Sequence, residues 1–293
     1  MKPQTRPTEP VPLAFQLRLR RRIGLRLQLL AARLIGKTEA APPPATDFAE
    51  NMQQVMTLIQ GYYFASETGV ARNIQEKFGY DGAFLRIFTE NRGVAVHKWH
   101  HYLPLYDHYF SRWRGKPVRF LEIGVSKGGS LTMWRTYFGP DAVIFGIDID
   151  PACAAFDGQS GQVRIGSQDD PEFLARVVAE MGGLDVVLDD GSHMMVHVEA
   201  SLQALYPALS LGGCYMIEDL HAAYWPAFGG GLGRPANFLA RLGRIFDDMH
   251  HWYHQGAINE PALADLVAGV HVHDSIVVFD KARVYPPSHT EIG

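Results

Sequence analysis

The sequence predicts an α/β protein. Its core is a mostly parallel sheet with helices on both faces, an antiparallel strand on its C-terminal side and a helical N-terminal extension. Three observations carry this. From Val118 onward, short apolar runs alternate with helical stretches, the signature of β-α-β units. Several of these runs end in glycine or acid, at Gly124, Asp148, Asp189-Asp190 and Glu218-Asp219, as strands do when they deliver polar groups to the carboxyl edge of a sheet. The last two apolar runs, Val270 to His273 and Ser275 to Asp280, read as closing strands around Asp274.

Composition narrows the function. A chain of 293 residues with 47% hydrophobic content has material for a sizeable core. The formal net charge of −4 gives no reason to expect nucleic acid as a partner. Two cysteines, Cys153 and Cys214, are too few for a disulfide framework and fit a reducing, cytoplasmic setting. No apolar run approaches the ~18–20 residues of a membrane span.

Three regions follow in order. Residues 1–46 form a basic amphipathic segment and a proline-rich linker. Ile23, Leu27, Leu30, Ala31 and Leu34 recur at helical spacing among arginines, so residues 15–37 are expected to contact an anionic membrane surface, their own domain or a second copy of the chain. A homo-oligomer is the expected assembly. Residues 47–115 are mostly helical and serve as a lid; Lys98 and His101 are expected at the mouth of a cleft, Trp99 and Tyr106 in the core. Residues 116–293 hold the sheet. Val118 to Gly124 is a strand entering a glycine-rich turn, Ser130 to Phe138 a helix, and Ala142 to Ile147 a strand ending at Asp148. Val163 to Ile165 is a short strand, and Pro171 to Met181 a helix with proline in its first turn. Leu184 to Leu188 is a strand, Val196 to Leu209 a helix stopped by Leu211-Gly212-Gly213, and Cys214 to Ile217 a strand. Gly229 to Gly233 is a loop over the site, and Asn237 to His250 a helix.

The chemistry concentrates where two strands end, in Asp189-Asp190-Gly191-Ser192-His193 and Glu218-Asp219-Leu220-His221. Neighbouring parallel strands would bring Asp190, Glu218 and Asp219 within reach of one ion. Such acids repel one another unless a cation lies between them, and their hard oxygens suit Mg²⁺ or Mn²⁺. His193, three residues past Asp190, is placed for general-base work. The plain alternative is that the acids cap the following helices. At the other end of the sheet, Gly124 to Ser130 is a glycine-rich turn at a helix N-terminus, without the G-x-G-x-x-G of a dinucleotide site. Asp148 has the position of a ribose-binding acid, and Gln168-Asp169 that of an adenine-edge pair.

Leu121 through Gly129, then Gly146-Ile147-Asp148, Gln168-Asp169 and Asp189 resemble the successive motifs of class I S-adenosylmethionine-dependent methyltransferases. The two acidic strand ends resemble, more narrowly, the metal-dependent sugar O-methyltransferases of macrolide tailoring and related rhamnosyl O-methyltransferases. The resemblance covers Lys98 to the C-terminus. It implies a Rossmann-like sheet and an S-adenosylmethionine site made by Glu122, Gly124, Gly128, Ser130, Asp148, Gln168, Asp169 and Asp189. It further implies Asp190, Glu218 and Asp219 as Mg²⁺ ligands, His193 as the base, and a small-molecule or glycan acceptor. A cephalosporin-hydroxylase-like enzyme, a nicotinamide-dependent oxidoreductase or a non-catalytic binding protein on a similar fold are the alternatives.

Overall fold

The computed structural model describes residues 46–257, 260, 263 and 265–293. The basic segment 15–37 and its expected surface contact lie outside the described residues. Five apolar runs form parallel strands: β1 (Arg119–Ile123), β2 (Val143–Asp148), β3 (Gln162–Ile165), β4 (Leu184–Asp189) and β5 (Leu209–Ile217). Two more strands, β6 (Val267–Val272) and β7 (Val277–Lys281), pair antiparallel, with β7 antiparallel to β5. The sheet order is β3-β2-β1-β4-β5-β7-β6, which is the mostly parallel architecture that the strand-helix alternation predicts.

Register positions the site. Ile123 pairs with Ile147 on one side and Asp189 on the other, and Asp189 pairs with Ile217. Four strands therefore end level, and the residues that follow leave the sheet along one edge. The order reverses between β1 and β4, the place where open α/β sheets form their crevice.

Both sheet faces are covered, so the strands read as nearly continuous apolar runs. Phe120, Val186 and Leu188 face one core with Phe84, Tyr102, Tyr106, Phe110, Trp134 and Phe138. Leu121, Ile123 and Val187 face the other with Leu174, Val198, Leu202 and Ile245, following the strand period of two. Asp185 is the acid near the start of β4, with Asp189 at its end. Arg119 neutralises Asp185 with a side-chain fork of 2.8 and 2.6 Å and its own backbone N–H at 2.9 Å.

The helices that matter here are α1 (Thr46–Gly61), α2 (Val70–Phe78), α3 (Ala83–Thr89), α4 (Tyr102–Phe110), α5 (Gly129–Phe138), α6 (Pro171–Met181), α7 (Met195–Leu205) and α8 (Phe238–Met249). Asp170 and Asn237 cap α6 and α8 with their side chains. The boundaries around β5 differ from expectation: the strand begins at Leu209 rather than Cys214. Helix α7 stops at Leu205 rather than Leu209, because Pro207 has no N–H to return to the helix; a 3-10 turn, Tyr206–Ala208, follows. The Gly212-Gly213 pair lies within β5 and does not stop the helix. Both cysteines are free and buried. No helix among the described residues is long and apolar enough to cross a membrane.

Candidate active site

A cavity of about 690 Å³ opens at the level carboxyl edge. Its floor begins with a backbone requirement. Gly124 sits at φ +96°, and a Cβ there would stand 2.1 Å from the Asp190 carbonyl oxygen. Only glycine lets the turn after β1 pass the turn after β4. Asp148 then fixes the β1 turn by accepting the N–H groups of Val125, Ser126 and Asp150, each at 2.9 Å. Burial alone would raise its pKa, but these donors hold it below the ordinary carboxylate value.

Of the residues predicted to hold the donor, Gly124, Ser130, Asp148 and Gln168 line the cavity. Glu122, Gly128, Asp169 and Asp189 do not. Glu122 and Asp189 stand buried behind the wall and hold residues that do line it, and Asp169 is exposed beside it. Glu122 accepts from the Ser130 hydroxyl and the Trp134 indole at 2.8 Å, and burial pushes its pKa up to about 7. Asp189 accepts from Gln168 at 3.1 Å, Ser201 at 2.5 Å and Tyr215 at 3.2 Å, and burial raises it too. Asp169 lies 3.5 Å from His197, a cavity residue. The fourth, Gly128, caps α5 at φ +76°, where a Cβ would strike the Phe156 ring.

The acid half is built differently. His193 and Asp219 hold positive φ, 56° and 53°, a region that non-glycine residues rarely enter. This turns both side chains toward Asp190. His193 Nε2 is 4.0 Å from Asp190 and 3.8 Å from Asp219. Asp190, His193 and Asp219 each offer a ligand atom, all within 4.8 Å of one another. Glu218 lines the same cavity one layer deeper, its side chain only 1% exposed. Two or three carboxylates on one half-buried wall fit a small, hard divalent cation.

Residues far away in the chain complete this half. Lys98 Nζ lies 2.5 Å from Asp190 and 3.0 Å from Glu218, across 92 and 120 positions of sequence. Tyr102 donates to Asp219 at 2.6 Å, and Tyr106 donates to Glu218. Burial and the nearby Asp190 charge raise Glu218 well above the carboxylate range, against the pull of Lys98. Burial would lower Lys98, but Asp190 and Glu218 hold it fully charged. Burial would likewise raise Asp219, yet His193, His221 and the Tyr102 hydroxyl bring it below its usual value.

Lys98 revises the electrostatic argument for a metal. Repulsion among the acids does not by itself demand an ion, because the chain supplies one buried ammonium of its own. The sequence places Lys98 at the cleft mouth; the structure puts it inside, 7% exposed. Trp99 packs against the core as expected and also lines the cavity. His101 does not reach it; its ring packs against Phe78, Trp99 and Tyr102. The 229–233 loop also stays off the cavity wall. Tyr102 and Tyr106 are the functional neighbours that sequence reasoning missed. Their signal was the i, i+4 spacing of two hydroxyl-bearing rings on one face of α4.

No protein-family model matches the chain. It is 41% identical over 199 residues to the 8-demethyl-8-(2-methoxy-α-L-rhamnosyl)-tetracenomycin-C 3′-O-methyltransferase of Streptomyces olivaceus, covering 63% of this chain and 50% of that protein. It is 33% identical over 253 residues to the mycinamicin VI 2″-O-methyltransferase of Micromonospora griseorubida, covering 82% and 62%. The structure of the MycE methyltransferase of the mycinamycin pathway, solved with Mg, SAH and mycinamycin VI, superposes with a TM-score of 0.58 at 36% identity, over 64% of this chain and 50% of that one. The chain thus spans between 50% and 62% of the length of these relatives.

Proposed function

We propose that this chain, a class I methyltransferase fold related to the sugar O-methyltransferases of tetracenomycin and macrolide pathways, moves a methyl group from S-adenosylmethionine to a hydroxyl of a glycosylated small molecule. One observation carries the reading: the glycine turn with Asp148 and the Asp190, His193, Asp219 cluster line a single cavity. At about 690 Å³ it has room for a nucleoside beside a sugar.

The residues divide the work. Asp148 and the backbone of Gly124 to Ser130 hold the adenosine side of the donor. Asp190, Glu218 and Asp219 hold Mg²⁺, which supplies Lewis acidity toward the acceptor hydroxyl. Glu218 uses the lone pairs that Tyr106 and Lys98 leave free. His193 takes the hydroxyl proton as the oxygen attacks the sulfonium methyl in line. The donor is already activated, so alignment and deprotonation are what the protein contributes. The structures of relatives that hold Mg and SAH support the donor and the metal of this reading. A homo-oligomeric assembly, and contact of residues 15–37 with an anionic surface, belong to the same reading and rest on the sequence alone.

The test is methyl transfer from labelled S-adenosylmethionine to a panel of glycosides with Mg²⁺, read by mass spectrometry. Methylated sugar on at least one glycoside is the expected result. Tight donor binding with no transfer to any of them would sink the enzymatic reading.

A further inference from the structure

A second cavity, of about 490 Å³, shares only Val96 and Gly129 with the first. The wall between them is tight. A Cβ on Gly129 would stand 2.3 Å from the Ala95 carbonyl oxygen, so the chain before Lys98 closes against the start of α5. Arg86, Arg92 and Arg114 line this second cavity, with Glu90 as the acid among them. Elsewhere arginines take carboxylate partners, as Arg119 does with Asp185, Arg164 with Glu180 and Arg241 with Glu260. Among the described residues, neither Glu90 nor these three arginines has an ion-pair partner within 4.0 Å. Two of the three are held without an acid. Arg92 donates to the carbonyls of Thr89 at 3.0 Å and Asn91 at 2.9 Å, and Arg114 lies over the Tyr137 ring, 5.0 Å from its centroid.

Like charges gathered round one hollow repel each other, and an anion in the hollow relieves them. Three guanidiniums against one carboxylate leave two positive charges facing the cavity. A phosphate monoester, at about −1.5 to −2 near pH 7, matches that charge, and a single carboxylate does not. Guanidinium planes also fork onto phosphate oxygens. Ala83, Ile87, Phe88 and Met133 add an apolar side to the same cavity, enough to cover the organic part of such a ligand. The volume lies in the range of small-molecule sites. We infer that this second cavity binds an organic phosphate, a monoester with a compact apolar or aromatic body. It is a site apart from methyl transfer and does not depend on the transferase reading.

The experiment titrates the full chain in a calorimeter, in metal-free buffer, with S-adenosylhomocysteine present to keep phosphate out of the first cavity. The probes are phenyl phosphate and inorganic phosphate, which share the anion and differ in the apolar body. Phenyl phosphate is expected to bind about tenfold tighter. Arg86→Gln and Arg92→Gln should each weaken it about tenfold, the loss of one charge-assisted contact. Both side chains are exposed, so neither variant threatens the fold. Arg176→Gln removes an exposed arginine of α6, outside this cavity, and should change nothing. No measurable binding of either probe, or equal affinity for the two, overturns the site. An equal loss in Arg176→Gln and Arg86→Gln does so as well, because it reports the charge of the whole molecule and not a built cavity. Should S-adenosylhomocysteine fail to bind, the transferase reading falls, and the arginine variants still report on the second cavity.

Discussion

The two halves of the cavity satisfy their polar groups in opposite ways. In the donor half, Asp148 is held by N–H groups no more than 23 positions away, from its own turn and the one beside it. In the acid half, the partners of Asp190, Glu218 and Asp219 come from residues 92 to 120 positions distant, Lys98, Tyr102 and Tyr106. The first half is a property of strand ends. The second exists only once the helical region has packed on the sheet. Chemistry that needs a fixed turn can be built locally, while the buried Glu218 takes its ammonium from outside the strand ends.

The sharpest way to separate the halves is to remove the ion. Chelation should abolish methyl transfer while donor binding survives, and restored Mg²⁺ should return activity; full activity in EDTA would take the metal out of the mechanism. Next in size, His193→Ala should slow single-turnover transfer by about 10²–10⁴-fold with metal and donor binding intact. Lost Mg²⁺ affinity in that variant would instead move His193 into the ligand set. Lys98→Met probes the long-range half directly. Leaving buried acids without their ammonium should cost the metal-free protein about 3–5 kcal/mol in urea denaturation, with part restored by Mg²⁺. Unchanged stability would mean that Glu218 is protonated and Lys98 dispensable. Asp148→Ala should weaken S-adenosylmethionine binding by about 1.5–3 kcal/mol in calorimetry and leave Mg²⁺ affinity alone. If both affinities fall together, the halves are not separable.

The smallest expected effect lies outside the cavity and calibrates the rest. Burial would raise Asp185, but the Arg119 fork holds it below its ordinary value. A depressed carboxyl contributes stability that is present above the unfolded pKa of about 3.9 and lost as pH falls through the folded value. Asp185→Asn should therefore flatten the acid side of the stability profile and change nothing at the cavity. An unaltered acid limb would show that other carboxylates dominate it.

Strand ends were legible because periodicity and terminal acids are local signals. Asp190, Asp219 and His193 meet because β4 and β5 end level, which follows from two adjacent apolar runs read as parallel neighbours. Lys98 was visible as an odd residue in an aromatic stretch, but its depth was not. Nothing in Lys98-Trp99-His100-His101 says which side chain turns inward, since that depends on how α4 seats on the sheet. Asp189 looked like a ligand for the same reason in reverse. Its neighbours Ser201 and Tyr215 claim it from a helix and a strand that the motif does not contain.

The contact between Gly124 and the Asp190 carbonyl bears on how such a protein can change over generations. Donor turn and acid turn share a wall one hydrogen thick, so neither can be enlarged without moving the other. Any drift in the turn after β1 arrives at Asp190 as a steric push and must be answered there. Laboratory lineages selected for a bulkier donor should therefore accumulate second changes around Asp190 to Ser192, before any appear in the distant wall that meets the acceptor.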